Sequence, residues 1–352
     1  MLSAVHLMVD MYCAVLFFGC ISGGEKAWHA MVLYNACAFA GQAPIGALAD
    51  RLGNGLAVAA AGCLLLGASW FFHTVPIAAA VIAGLGNGAF HAGAGYSVLM
   101  DDGERARDLG IFVSTGAVGL YCGTADALIF VKGGLIFVGI FALLAGVIGF
   151  AAFDKRLRSA GAFAELEETA SYKGAAPSLS MPRGGLLALC CLTAVVILRS
   201  FIGATECFAI PSMPGSATVL CVAGGKALGG FIMDCVGPRK TSVFSLVPCA
   251  VIALFGVSLS TGAAARLIAL LLFNMTMPIT LFAAARLLKG AKGFAFGLLT
   301  FGLFIGCVPR FMGVDTAMLP RLSYALLIAL SLALLLVGLK FEPRHRAAEG
   351  AK

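Results

Sequence analysis

The sequence predicts an all-helical polytopic membrane protein with twelve transmembrane helices in two pseudo-symmetric halves of six. Three observations predict it. Of 352 residues, 61% are apolar and only 12% are charged, whereas a soluble domain carries about 25% charged residues. The apolar residues recur in continuous runs of about 20, each long enough to cross ~30 Å of hydrocarbon. A short block near the end of the second run, with Gly46, Asp50 and Gly53, returns 184 positions later as Gly230, Asp234 and Gly237. Strands of a membrane barrel would alternate apolar and polar residues, so that class is excluded.

Read in order, the expected spans are 4–22, 29–48, 56–73, 77–99, 110–130, 134–153, 186–206, 215–236, 241–260, 264–286, 294–312 and 319–340. The first starts almost at Met1, with no basic segment before it and no small-residue cleavage site after it. It is expected as a retained span, not a signal peptide. The longest polar stretch, 154–184, opens on Asp154-Lys155-Arg156-Leu157-Arg158, holds Glu165, Glu167 and Glu168, and ends in a Pro/Ser segment before Arg183. It is too poor in apolar residues to fold alone, so it is expected as a linker. The expected organisation is thus a six-helix half at 1–153, a cytoplasmic linker at 154–184, a second half at 185–340 and a tail at 341–352.

Charge sets the orientation. With both termini cytoplasmic, inner loops and tail carry 17 of the 24 Lys and Arg residues and outer loops carry five, while Arg199 and Lys226 lie within spans. That is a strong positive-inside bias. The net charge of +7 is spread over short loops and not gathered on a basic surface, so no nucleic-acid partner is expected. The twelve cysteines lie nearly all inside apolar runs without C-x-x-C or Cys/His spacing, and read as packing residues. No cofactor, metal site or disulfide framework follows. The expected location is a plasma membrane, the inner membrane of a bacterium, with the lipid bilayer as surroundings and a monomer as the working state.

The repeated block has its own physics. Gly46 and Gly230 allow a neighbouring helix to approach closely. Asp50 and Asp234 fall at helix ends, where a carboxylate can bond the free N–H groups of a nearby helix start. An ordinary tight loop with an Asp50–Arg51 pair is the plain alternative. A second echo, at offset 183, relates Gly110, Gly119 and Gly123 to Gly293, Gly302 and Gly306. Such internal repetition marks transporter folds built from repeats.

The segment Gly46-Ala47-Leu48-Ala49-Asp50-Arg51-Leu52-Gly53 resembles the cytoplasmic signature of the major facilitator superfamily. The second copy, Gly230 to Lys240 with Arg239, is a weaker version of it. In the first copy the family's basic pair after the second glycine is replaced by Asn54-Gly55. The resemblance covers essentially the whole chain and implies a gating role for the two blocks. Within the superfamily, His6, Asp10 and Gly84-Leu85-Gly86-Asn87-Gly88-Ala89-Phe90-His91 resemble the fosmidomycin-resistance branch, although Ala92 stands where that branch usually has Pro.

Charged groups at bilayer depth cost about 2.5–3.5 kcal/mol each by insertion scales, so each needs a reason. Asp10, His91, Arg199 and Lys226 are the clearest. The tenth span adds Asn274-Met275-Thr276-Met277-Pro278, where the proline frees a backbone carbonyl. The resemblance implies that helices 1, 4, 7 and 10 line a central cavity. His6 and Asp10, spaced i, i+4, share a helix face. Asp10 and His91 can change charge in the accessible pH range and are the candidate proton carriers, with His6 beside them. A purely structural pairing is the alternative for each. Arg199 stays charged and either pairs with an internal carboxylate or meets an anionic substrate. Asn274, Thr276, Asn87, Lys226 and Gln42 complete the candidate cavity, although packing or snorkelling also explains Lys226. Asp126 and Glu206 read as solvated helix ends.

Gly84, Gly86 and Gly88 follow no strand and read as helix packing, not a nucleotide loop. There is no Walker motif, nucleophile elbow or metal-ligand cluster, so neither an ATP-driven pump nor an enzyme is expected. The expected function is a secondary active transporter, proton-coupled and exporting a small organic compound by alternating access. The alternative is proton-coupled uptake of an anionic nutrient or metabolite. A transport-inactive membrane sensor is the remote third.

Overall fold

A computed structural model describes residues 1–100, 105–125, 130–167, 181–208, 214–255, 262–314 and 319–341. It contains twelve helices of membrane-spanning length: α1 Leu2–Ile21, α2 Ala27–Leu52, α3 Gly55–Phe72, α4 Pro76–Leu99, α5 Ala106–Ala125, α6 Gly134–Glu167, α7 Gly185–Gly203, α8 Gly215–Val236, α9 Pro238–Phe255, α10 Gly262–Leu287, α11 Lys292–Phe311 and α12 Arg321–Gly338. No strand occurs among the described residues. The chain is an all-α polytopic membrane protein.

Local chemistry places the breaks. Pro76 opens α4, where its missing N–H has no partner to lose. Asn54 caps α3 by accepting the Ala57 N–H at 3.1 Å. Gly53 and Gly237 turn the chain at φ +60° and +87° after the two repeated blocks, a region that disfavours side chains. Single π-helical turns interrupt α1 at Phe17–Ile21 and α2 at Ala36–Ala40.

Three spans differ from expectation. α10 is not continuous: it stops at Asn274 and restarts at Thr276. Pro278 lies in the first turn of the second piece and has no N–H to give the Asn274 carbonyl, which is the i−4 bond a continuous helix would need. α5 starts at Ala106, four residues before the apolar run, because Asp234 accepts the N–H groups of Ala106 and Arg107 there. α6 runs beyond its apolar stretch Gly134–Asp154 as far as Glu167, so the start of the expected linker is helical. Residues 168–180, Asp126 and the tail beyond Phe341 lie outside the described residues, as does the side chain of Glu206.

Among the described residues, eleven helices are both long and apolar enough to cross a membrane; the described part of α5 ends at Ala125, while its apolar run continues in the sequence to Phe130. α5 is held between α1 and α8, and α11 between α7 and α2. These sandwiches are equivalent under the repeat, and the α2–α11 and α5–α8 contacts join the two halves. A helix covered on both sides by protein needs less apolar surface than one facing lipid. Large apolar side chains such as Leu135, Phe150, Leu220 and Phe255 are instead exposed on other helices, where hydrocarbon would cover them.

Candidate functional site

Two groups of residues carry chemistry. The first lies at the end of the bundle where α2 meets α11 and α8 meets α5. Asp50 Oδ1 and Oδ2 accept the N–H groups of Gly293 and Phe294 at 2.8 Å each. Asp234 does the same to Ala106 and Arg107 at 2.9 and 3.0 Å. Each aspartate therefore caps the start of a helix belonging to the other half. Hydrogen bonds to an ionised acceptor are the stronger kind, and the positive end of the helix dipole adds to them. Gly46 is required here, because a Cβ would run into the Gly293 carbonyl. Gly230 faces Ala106 and Arg107 in the same way. Lys292 Nζ adds a bond to the Leu99 carbonyl at 2.7 Å. Arg239 Nη2 reaches the Leu339 carbonyl at 3.2 Å, and Arg51 is exposed. The Asp50–Arg51 pair considered as the plain alternative does not form. The carboxylate goes across the interface instead.

The second group is at membrane depth in the first half. His6 and Asp10 on α1 meet Asn87 and His91 on α4, against α5. The His6 and His91 Nε2 atoms are 2.7 Å apart. Asp10 lies beside them, at 3.2 Å from His6 Nε2 and 3.6 Å from His91 Nε2. Asn87 Nδ2 donates to Asp10 at 3.3 Å. The site is recessed but not sealed: Asp10 retains 21% of its side-chain exposure. Gly116 on α5 makes the room, since a Cβ there would overlap both Asp10 Oδ2 and His6 Nε2. Phe90 and Phe112 pack around His6.

The proton inventory follows from the partners. His6 Nδ1 bonds the Phe112 carbonyl at 2.7 Å, and His91 Nδ1 bonds the Asn87 carbonyl at 2.9 Å. A carbonyl oxygen only accepts, so both Nδ1 atoms carry hydrogen, a tautomer assigned from the partners. Two neutral imidazoles in that tautomer would then point bare lone pairs at each other across 2.7 Å. A hydrogen bond between the two rings would need one proton held between them, beside Asp10.

Ligand atoms of His6, Asp10 and His91 lie within 4.8 Å of one another, a grouping that could also hold a metal ion. No metal-ligand cluster is expected from the sequence, so this grouping corrects that expectation. Nitrogens bound ~2.1 Å from one ion are about 3.0 Å apart at a right angle and about 3.4 Å apart at the tetrahedral angle. The 2.7 Å between the two ring nitrogens suits a shared proton, and a metal ion held by both rings would need them drawn slightly apart.

The other candidate residues are distributed differently. Arg199 on α7 and Lys226 on α8 lie within Coulombic reach of each other, and Lys226 is also within reach of Asp10. Asn274, at the break in α10, is half-buried and bonds the Leu270 carbonyl at 2.8 Å. Gln42 is fully buried against α11 and donates to the Ala38 carbonyl of its own helix. Thr276 is buried and bonds the Phe273 carbonyl at 2.9 Å. Gln42 and Thr276 are thus each bonded within their own helix, and Asn87 belongs with the Asp10 group. Sequence reasoning missed Gly116, although its place between two glycine-spaced faces of α5 was a signal. It also missed Phe112, whose carbonyl fixes the His6 tautomer and which no side-chain pattern could reveal.

No family model matches the sequence, and no curated protein matches it either. Solved structures do. The chain superimposes on a variant of the E. coli fucose:proton symporter, FucP, with a TM-score of 0.66 at 15% identity, over 97% of this chain and 98% of that one. FucP in its outward conformation, described as a major facilitator superfamily transporter, gives 0.57 at 16% identity, over 96% and 98%. The fold is that of the major facilitator superfamily. A bacterial homologue of the iron transporter ferroportin, in an outward-facing state, gives 0.60 at 14% identity over 97% and 98%. The two-half architecture of this fold accounts for the paired aspartate latches, one from each copy of the repeat.

Proposed function

We propose that the chain is a secondary active transporter of the major facilitator superfamily that couples movement of a small organic compound to protons by alternating access. The observation that carries this reading is the His6–His91 contact at 2.7 Å beside Asp10, an arrangement built around one exchangeable proton. Loss of that proton would leave two lone pairs and a carboxylate facing one another. His6 would then part from His91, and α1 from α4. The proton thus acts on helix packing directly. With both termini cytoplasmic, as the positive-inside bias supports, the Asp50 and Asp234 latches close the cytoplasmic side, and the conformation is outward-facing. Two of the similar structures are described as outward too.

Export in exchange for protons is the direction proposed, supported by the resemblance of His6, Asp10 and Phe90-His91 to the fosmidomycin-resistance branch. Uptake together with protons is the second reading, favoured by the similar fold of a fucose:proton symporter. Reconstitution into proteoliposomes with an imposed pH gradient tests both, by following internal pH and solute together. Wild-type protein is expected to move protons only when solute is present, and Asp10→Asn to lower gradient-driven accumulation at least tenfold while leaving some solute exchange. Undiminished accumulation by Asp10→Asn and by His91→Gln would remove the triad from the proton path.

A further inference from the structure

Arg199 is only 7% exposed, yet its Nη1 is buried without any hydrogen-bond partner. No other atom of the guanidinium makes a hydrogen bond or ion pair with a described residue. Lys226, half-buried on α8, is likewise without such a partner among the described residues. The two cations lie within Coulombic reach of each other. Buried charges are normally paired, and like charges brought together in a low dielectric repel. The acidic side chain within reach of Lys226 is Asp10, whose oxygens are already engaged by His6, His91 and Asn87. Among the described residues, the interior of the second half therefore has two positive charges and no acidic side chain paired with them.

We infer that Arg199 and Lys226 bind a small oxyanion, so that the solute bears a carboxylate or a phosphoryl-type group. A guanidinium offers a planar fork of donors that matches two oxygens of such a group at once, and an ammonium adds a compact charge with three donors. A neutral sugar would not supply the missing charge, and a cation would be repelled. Asn274 is at hand as a neutral donor or acceptor: α8 passes so close to α10 that a Cβ on Gly225 would lie 3.0 Å from the Asn274 Cβ. The oxyanion would thus join α7, α8 and the break in α10. That this anion is carried, and not merely bound, rests on the transporter reading above.

The test uses the purified full chain in phosphatidylcholine nanodiscs, with thermal unfolding measured against lactate, succinate, inorganic phosphate and methylphosphonate. Glucose and tetraethylammonium serve as neutral and cationic controls. At least one oxyanion is expected to raise Tm saturably, neither control to do so, and Arg199→Gln to weaken the effect at least tenfold. Ligand-free Arg199→Gln is expected to melt at or above the wild type, because an uncompensated cation has been removed. Stabilisation by none of the four oxyanions overturns the inference. So does a fall in the ligand-free Tm of Arg199→Gln, which would mark the guanidinium as a structural partner. Should that variant fail to fold, Arg199→Lys keeps the charge without the fork, and unchanged oxyanion affinity in it overturns the assignment. Repeating the titrations in phosphatidylglycerol separates a lipid headgroup from a dissolved anion: a Tm rise from that lipid alone, with none from the four solutes, counts against the inference. Oxyanion binding without proton-linked flux in liposomes would leave the site standing and remove the transporter reading. Proton-linked flux of a neutral or cationic compound, indifferent to Arg199→Gln, would do the reverse.

Discussion

In the first half, Asp10 sits among His6, His91 and Asn87, and the hydrogen bonds of that group close on one another. In the second, Arg199 and Lys226 lie within Coulombic reach of each other, and no described acidic side chain of that half pairs with either. The repeat makes the contrast a matched one: 184 positions after Asp10 stands Ala194, and 183 after Gly116 stands Leu299. Two copies of one architecture have thus diverged inside while keeping the same latches at their ends. A closed network can hold a proton without help from outside the protein, whereas a pair of unmatched cations needs something to arrive. On the proposed transport reading, the difference would separate two tasks, holding a proton and holding a solute, between the two halves.

The strongest way to break the comparison is to fill the space beside the closed network. In Gly116→Leu the new side chain would occupy the volume of Asp10 Oδ2 and His6 Nε2. Overpacking of this kind costs about 1–3 kcal/mol. Gradient-driven transport is expected to fall more than tenfold, with Tm lowered but helicity by circular dichroism retained. Wild-type transport by a folded Gly116→Leu protein would show that the triad is not needed in its observed form.

A smaller effect is expected where the halves are alike. Asp50→Asn removes the charge from a carboxylate that caps two N–H groups, and Asp234→Asn does the same in the other copy. Hydrogen bonds to charged groups contribute about 1.5–3 kcal/mol, so each variant should shift the closed-to-open balance of the latched end roughly tenfold. Spin-label distances between α4 and α11 near Leu99 and Lys292 would read this as a larger open population. Similar shifts for the two variants would confirm that the latches are equivalent, and a response from one alone would break the symmetry. The smallest effect belongs to Arg51→Gln. Its side chain is exposed, so stability should stay within about 0.5 kcal/mol and transport should be unchanged by the same liposome assay.

The legible part of this molecule in its sequence was the part that repeats. Spans announce themselves by apolar length, and the Asp50 and Asp234 blocks by their common offset; even the capping role of the carboxylates followed from helix-end electrostatics. His6 and Asp10 were placed on one face by their spacing alone. What could not be read was anything created by a third helix. The His6–His91 contact joins residues 85 positions apart, and its meaning depends on two backbone carbonyls that no side-chain pattern reports. Gln42 looked like a cavity residue because it matches Lys226 in the repeat. Its helix is pressed against Gly297 of α11, a contact the analogy does not report. The start of α5 was misplaced because its cap comes from Asp234 in the other half, beyond the reach of a local hydropathy window.

The position of α5 also bears on how the protein is made. The ribosome delivers α5 three helices ahead of α8, which covers one of its faces. Gly110, Ser114, Thr115 and Gly116 give α5 small faces that suit close packing against protein. Within the first half its main support comes from α1, through the close backbone contacts at Gly119 and Gly123, with α4 also in contact. The first six helices therefore leave the insertion machinery as an unfinished unit, with one face of α5 still waiting. That face is covered only when α8, which begins 90 residues beyond the end of α5, enters the same membrane, and a gene divided at the central connector would yield two products that depend on meeting in the bilayer.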